Sequence, residues 1–391
     1  CITVSQSFNI QRHFFGSLAG PDIPFWLLVL LIWSFCALAM IFLGSAVWDL
    51  LSLILHGIAR LFVKKPAADE TAAPRSESKK GKEGTAGTPA SPGRRFFLAA
   101  TAASGMRLLV PAGAAASAVG VHAAVTLPRL QEWEVFLPAL PRGLDGLRVV
   151  HMADLHVGPL WDRERALGIL SMVEKADADL VCLTGDLADG QPEWRCADNT
   201  PRVEIARLFS GLKSRLGTYA CTGNHEYFSN YAAWMDVWTG CGMRFLHNEC
   251  VPLQGRDGSV LLLGGLNDPS GGLRRAGEDP FAEAPVSGPD TFRLLMDHRP
   301  SAAAGNARRG AQLQLSGHTH GGQCPGLDIV VARANNGYVR GWYNVRGMGL
   351  YVTTGASQWS GFAMRLGVPC EVAVLTLRSA PGQSLHTRLA G

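Results

Sequence analysis

The stretch DLVCLTGDLAD, Asp179 to Asp189, decides the fold. Its first half is a short apolar run, the length of one buried β-strand and too short for a helix. Its second half breaks at Gly185 and delivers two carboxylates, Asp186 and Asp189. One aspartate after a strand is ordinary, because aspartate often caps a following helix. The pattern recurs, however. LRVVHMA leads to Asp154 and His156, and GTYACTG leads to Asn224, His225 and Glu226. FRLLMD leads to His298, and AQLQLSG leads to His318 and His320.

Between the first two runs, WDRERALGILSMVEKADA places Ala166, Leu167, Leu170 and Val173 on one helical face. Before the third run, Thr200-Pro201 reads as an N-cap and first-turn proline for a helix carrying Val203, Leu208 and Leu212. Strand, helix, strand is the signature of parallel βαβ units in an α/β domain, which should fill residues 131–391. In such sheets ligands sit beyond the carboxyl ends of the strands. Five clusters of metal-ligand type at that edge are hard to assign to packing alone. The nine residues LSGHTHGGQ, Leu315 to Gln323, sharpen the point, since nothing in core packing requires two imidazoles separated by one residue.

The N-terminal half is different. No charged residue occurs from Ile23 to Trp48, and PFWLLVLLIWSFCALAMIFLG is apolar on every helical face, which predicts a transmembrane helix over 23–48. DLLSLILHGIARLF, Asp49 to Phe62, reads as an amphipathic interfacial continuation. Lys64 to Arg95 lacks periodicity, is rich in Ala, Gly, Pro and Ser, and holds eight basic residues. That composition predicts a disordered linker, on the cytoplasmic side by the positive-inside rule. Over 96–121, following Arg94-Arg95, the Ala-rich RRFFLAATAASGMRLLVPAGAAASA resembles a twin-arginine export signal or signal anchor. Arg107 and Pro111 make it a poor ordinary span. As an export signal, an anchor or a second span it would put the following domain outside the cytoplasm; as a buried helix it would leave that domain inside. The chain starts at Cys1, so upstream sequence is expected.

Composition excludes some classes. A net charge of +4 with no basic stripe argues against a nucleic-acid partner. Nine cysteines without a CxxC spacing give neither a zinc knuckle nor a legible disulfide framework, although Cys241 and Cys250 could pair.

In order, DLH (Asp154–His156), GDLAD (Gly185–Asp189), GNHE (Gly223–Glu226), His298 in LLMDHRP, and GHTH (Gly317–His320) resemble the calcineurin-like metallophosphoesterase family. The resemblance covers about Leu147 to Leu377. GLYVTTGASQWSGFAMRLGVPCEVAVLTL and the GHTHGGQ form are similar to its membrane-anchored branch, transmembrane proteins with a metallophosphoesterase domain. Some relatives in that branch carry twin-arginine signals, and some hydrolyse UDP-2,3-diacylglucosamine. The resemblance implies a β-sandwich flanked by helices, with two divalent ions (Mn, Fe or Zn) at the strand ends. It assigns Asp154, His156, Asp186 and His320 to one ion, and Asn224, His298 and His318 to the other, with Asp186 bridging. Carboxylate, imidazole and carboxamide donors suit those metals, and such a pair suits in-line displacement at phosphorus by a metal-bridging hydroxide. His225 would act at the leaving oxygen, oriented by Asp189. Glu226 would support a ligand or cap the turn.

One departure bears on substrate. Many members follow the second Asp of GDxxD with a phosphate-gripping arginine, where this chain has Gly190. That disfavours phosphoproteins and favours phosphodiesters, pyrophosphates or lipid headgroups, in keeping with an anchor in the inner or plasma membrane. A UDP-2,3-diacylglucosamine hydrolase of lipid A synthesis would instead need a cytoplasmic catalytic face. A serine hydrolase lacks its GxSxG elbow, because GASQWSG has the wrong spacing. A metallo-β-lactamase-type site would open with HxHxDH, whereas here HxH comes last. A non-catalytic membrane-tethered metal-binding module is the rival of another class, and no ligand position has been lost to favour it. The segment Gly255–Pro289, with the strand SVLLLGG inside it, is expected at the substrate rim.

Overall fold

The computed structural model describes residues 25–62, 92–272, 278–285 and 288–390. The linker expected over 64–95 lies outside them except for its last residues, which already belong to a helix.

Two long helices precede the α/β region. Helix α1 (Phe25–Phe62) is continuous, so the span and its amphipathic continuation are one element. Gly44-Ser45-Ala46 near the end of the expected span does not interrupt the helix. Helix α2 (Pro92–Val125) runs through Pro111 without ending there. Val29–Leu55 and Leu108–Val125 are each long and apolar enough to cross a membrane. The second segment thus meets the test that Arg107 and Pro111 argued against. The described residues within 37–116 form one compact unit and the other described residues a second. Within the smaller unit the helices run antiparallel. A Cβ on Gly44 would meet Leu109 at 3.0 Å, and one on Gly113 would meet Ile41 at 2.7 Å. Small residues let such helices approach closely in the absence of a hydrophobic drive.

Residues 129–389 form a two-sheet sandwich. The first sheet contains β1 (Arg129–Leu137), β2 (Arg148–Met152), β3 (Leu180–Thr184), β4 (Thr218–Cys221), β5 (Arg244–Phe245), β12 (Glu371–Ser379) and β13 (His386–Leu389), in the order β13-β1-β12-β2-β3-β4-β5. The second contains β6 (Glu249–Gln254), β7 (Val260–Gly265), β8 (Thr291–Met296), β9 (Leu313–Ser316), β10 (Gly341–Val345) and β11 (Met348–Val352), in the order β10-β11-β9-β8-β7-β6. Strands β2 to β5 are mutually parallel, as are β7, β8, β9 and β11. The parallel βαβ expectation therefore holds locally, but β8 and β9 belong to the second sheet.

Alternation along each strand explains the layering. Val149, Cys182, Leu261, Leu263, Leu294 and Leu315 fill the space between the sheets. Their neighbours Val150, Val181 and Leu183 turn outward to α3 (Arg163–Lys175), α4 (Arg202–Leu208) and α6 (Tyr231–Gly240). Leu262, Leu295 and Leu350 turn to the other side, under α7 (Ala303–Arg308). The order helix, sheet, sheet, helix is the α/β-β/α arrangement expected. Trp161, Trp234 and Trp238 are fully buried, and truncating any one to alanine costs about 3–5 kcal/mol.

Two helical details differ from the sequence reading. The buried face of α3 is Arg165, Ala166, Ile169 and Val173, while Leu167 is 47% exposed. The N-cap of α4 is Pro201 rather than Thr200, and its buried residues are Arg202, Ile205 and Ala206. Cys241 and Cys250 are free thiols.

Candidate metal centre

The ends of β2, β3, β4, β8 and β9 contribute. The segments after β2 and β3 carry Asp154, His156, Asp186 and Asp189. Helix α5 (Asn224–Phe228) follows β4 and opens on Asn224 and His225. The segment after β8 carries His298, and that after β9 carries His318 and His320. All of these converge. Asp154, His156 and His320 form one group, Asp186, His298 and His318 a second, and His156, Asp189 and His225 a third. Asp186 stands between the first two, with its Oδ2 3.7 Å from His156 Nε2 and 3.3 Å from His298 Nε2. Asn224 Oδ1 lies 3.2 Å from His298 Nε2.

The backbone is strained to achieve this. Asp154, His156, Asp186, His318 and His320 have φ of 54°, 45°, 55°, 73° and 47°. Left-handed backbone at a non-glycine residue costs about 1–3 kcal/mol and persists where its surroundings over-determine it. Gly317 permits a close approach: a Cβ there would lie 2.5 Å from both Ala153 Cβ and Asp154 Oδ2. Its absence lets the His318 N–H donate to both Asp154 oxygens at 3.1 Å. Glu226 braces the neighbouring turn, accepting from the backbone N–H groups of Asp186 (2.9 Å), Leu187 (2.7 Å) and Gly223 (2.5 Å). Burial, then Asp186, lifts its carboxyl to about 7.

The donor atoms fit cations. His298 Nδ1–H donates to Thr184 O at 2.7 Å, so Nε2 is the atom facing Asp186 and Asn224. Without an ion that gap holds a proton. Burial pushes the imidazole down, but Asp186 and Asp154 pull it up to about 10. A divalent ion can take the proton's place. On the other side His156 Nε2 faces His320 Nε2 at 3.2 Å, two nitrogens with at most one shared proton between them. Burial holds His320 well below the ordinary histidine range, aided by Arg365, and burial with His298 lowers His318 to about 3. Both rings are neutral, as ligands must be. Burial alone would raise Asp186, yet His298, His225 and His156 keep it well below the usual carboxylate range. Asp186 is ionised, with Oδ2 facing both sides and Oδ1 accepting from the His225 backbone N–H at 2.8 Å.

His225 and His318 are half-buried, whereas Asp154, His156 and His298 are buried, so the cluster opens on the first pair. His225 Nδ1 pairs with Asp189 Oδ1 at 2.8 Å, and His156 Nδ1 shares that oxygen at 3.1 Å. Burial opposes, but Asp186 and Asp189 raise His225 to about 9. Phe228, 44% exposed, and Trp359 flank its ring at centroid distances of 5.5 and 5.7 Å.

Gly190 also finds its reason. Its φ is 67°, and a Cβ would lie 2.5 Å from the Trp194 ring and 2.8 Å from Arg202 Nη1. Buried Arg202 instead donates to Asp189 O at 2.7 Å, holding the segment that carries the His225 partner. Sequence reasoning missed Trp359, Phe228 and Arg365. Buried Arg365 donates to the carbonyls of His320 (3.0 Å), Thr354 (2.6 Å) and Ser357 (2.6 Å), and meets His320 Nδ1 at 3.0 Å. No spacing in the sequence distinguishes it from a surface arginine. Within Gly255–Pro289, β7 is wholly buried and so is core rather than rim.

Residues 147–322 match the family model described as calcineurin-like phosphoesterase. The chain is 32% identical over 276 residues to the Bos taurus transmembrane protein with metallophosphoesterase domain, covering 68% of this chain and 60% of that one. The Danio rerio protein of the same name is 32% identical over 270 residues, covering 67% and 60%. A metallophosphoesterase of Aquifex aeolicus is 27% identical over 256 residues, covering 64% of this chain and 92% of the relative. The chain thus spans 60% of the length of either vertebrate relative.

Proposed function

The chain belongs, through residues 147–322, to the calcineurin-like phosphoesterases, and from that premise we propose that it is a membrane-anchored hydrolase of phosphodiester or pyrophosphate bonds in lipid-linked or headgroup substrates. The observation that carries this reading is the convergence of Asp154, His156, Asn224, His298, His318 and His320 around an ionised Asp186, with one open side. Asp154, His156, Asp186 and His320 would hold one divalent ion, and Asp186, Asn224, His298 and His318 the other. Such a pair, when bound, supplies Lewis acidity and an activated water for in-line displacement at phosphorus.

The chain's own groups do the rest. Asp189 accepts from His225 Nδ1 and points the other nitrogen toward the open side. Raised to about 9, His225 is protonated at neutral pH and can give its Nε2 proton to the leaving oxygen. Phe228 and Trp359 beside it offer apolar surface to a substrate with a lipid portion. The absence of a cationic side chain at Gly190 favours a phosphate whose charge is partly masked by a second ester.

Topology supports an extracytoplasmic site. Antiparallel α1 and α2 return the chain to the side on which α1 begins, and the basic segment 64–95 joins their other ends. The positive-inside rule places that joint in the cytoplasm. This orientation favours an exported phosphoester over a cytoplasmic UDP-linked lipid.

Purified protein with Mn²⁺ should hydrolyse bis(p-nitrophenyl) phosphate faster than p-nitrophenyl phosphate, and chelation should abolish both rates. Faster monoester cleavage would overturn the diester preference, and rates unaffected by chelation would remove the metal chemistry.

A further inference from the structure

Helix α8 (Leu327–Ala334) follows the GHTHGGQ segment and has no buried residue. On it Ile329 is 60% and Val330 61% exposed. Exposed Arg333 lies four and three residues further on, so all three share one face. Two adjacent branched aliphatics facing outward beside an arginine are the composition of an interfacial helix rather than of a solvated one.

Its mounting says what covers that face. A Cβ on Gly322 would meet Asp328 of α8 at 2.6 Å, so the helix rests on the loop that carries His318 and His320. The next residue, Gln323, accepts from Leu366 N at 2.9 Å, and Arg365 N donates to Gly120 O, in the last turns of α2, at 3.0 Å. In the same loop Phe362 meets Phe35 of α1 edge-on, at a centroid distance of 6.0 Å. Arg165 secures the exit of α2, donating to Val125 O and Thr126 O at 2.8 Å each. The segments that seat α8 are therefore the ones that meet the N-terminal part of α1 and the last turns of α2. Trp26 and Leu30 on α1 and Val119 on α2 are exposed apolar residues as well.

We propose that α8 lies in the bilayer interface, with Ile329 and Val330 in the acyl boundary and Arg333 among anionic headgroups, so that the metal centre opens at the lipid surface. The occupant is the membrane that holds α1 and α2. The consequence for substrate, a phospholipid presented from the leaflet, rests on the phosphoesterase reading, but the contact of α8 with lipid does not.

The test uses the full chain in nanodiscs of phosphatidylcholine and phosphatidylglycerol, with Cys241→Ala and Cys250→Ala to remove the half-buried thiols. A nitroxide at Ile329→Cys should collide with oxygen more than with a water-soluble nickel complex, and a control at Leu389→Cys should show the reverse. Equal nickel access at both positions overturns the proposal, as does shielding at 329 that depends on protein concentration, which would assign the face to a second copy. The Ile329→Asp/Val330→Asp variant should raise KM for vesicle-resident phosphatidylglycerol about tenfold. Its kcat/KM for bis(p-nitrophenyl) phosphate should be unchanged, and an equal loss on both substrates contradicts an interfacial role. If wild type hydrolyses neither substrate, the phosphoesterase reading fails, and the nitroxide result still decides α8.

Discussion

The floor and the lip of the metal centre are built from the same strand ends but on opposite terms. On the floor, Asp154, His156, Asp186 and His298 are buried, and three of the four sit in left-handed backbone. Their second atoms are already committed, as in His298 Nδ1 to Thr184 O. At the lip, His225 is half-buried, in ordinary helical backbone, and tethered by a single carboxylate. Under the proposed function, the difference would separate holding from acting. Ligands must be fixed before an ion arrives, whereas a proton donor needs a free nitrogen on the side where substrate enters.

The largest separation should come from His225→Ala. If the lip acts and the floor holds, kcat falls about 10²–10⁴-fold, the usual range for a general acid. Bound metal, counted by atomic spectrometry, should remain at the wild-type level. A parallel loss of metal would merge the two regions and break the comparison.

A smaller effect should appear in the pH dependence of metal uptake. With His298 raised to about 10, an ion must displace a proton at neutral pH. Affinity should therefore climb between pH 6.5 and 8.5, by up to about tenfold per unit for each proton released. In the metal-free chain the sign is opposite. Protonated His298 contributes stability in full below its unfolded value of about 6.5, and that contribution is lost as pH rises toward 10. Calorimetry in buffers of different ionisation enthalpy measures the released protons, and a flat profile would mean that the floor is neutral before binding.

Much of the floor was legible in the sequence because metal donors at strand ends are read directly from composition and order. What could not be read was the sheet to which each strand belongs. Val149 and Val150 are both fully buried, one against the second sheet and one against helices, so the alternation that marks a half-exposed strand is erased. The face of α3 was misjudged for a related reason. Gly168 packs on Leu127 and the helix turns Ile169 inward, leaving Leu167 outside. The aromatic flank of the lip was least legible: Trp359 lies in an irregular loop whose only sequence signal, GASQWSG, points to no chemistry by itself.

The central claim is that Asp186 is shared by two ions, and anomalous diffraction from crystals grown with Mn²⁺ tests it most directly. The account predicts two peaks, one on each side of the Asp186 carboxylate, and their loss in Asp186→Asn. A single peak, or two peaks of which neither contacts Asp186, would contradict it.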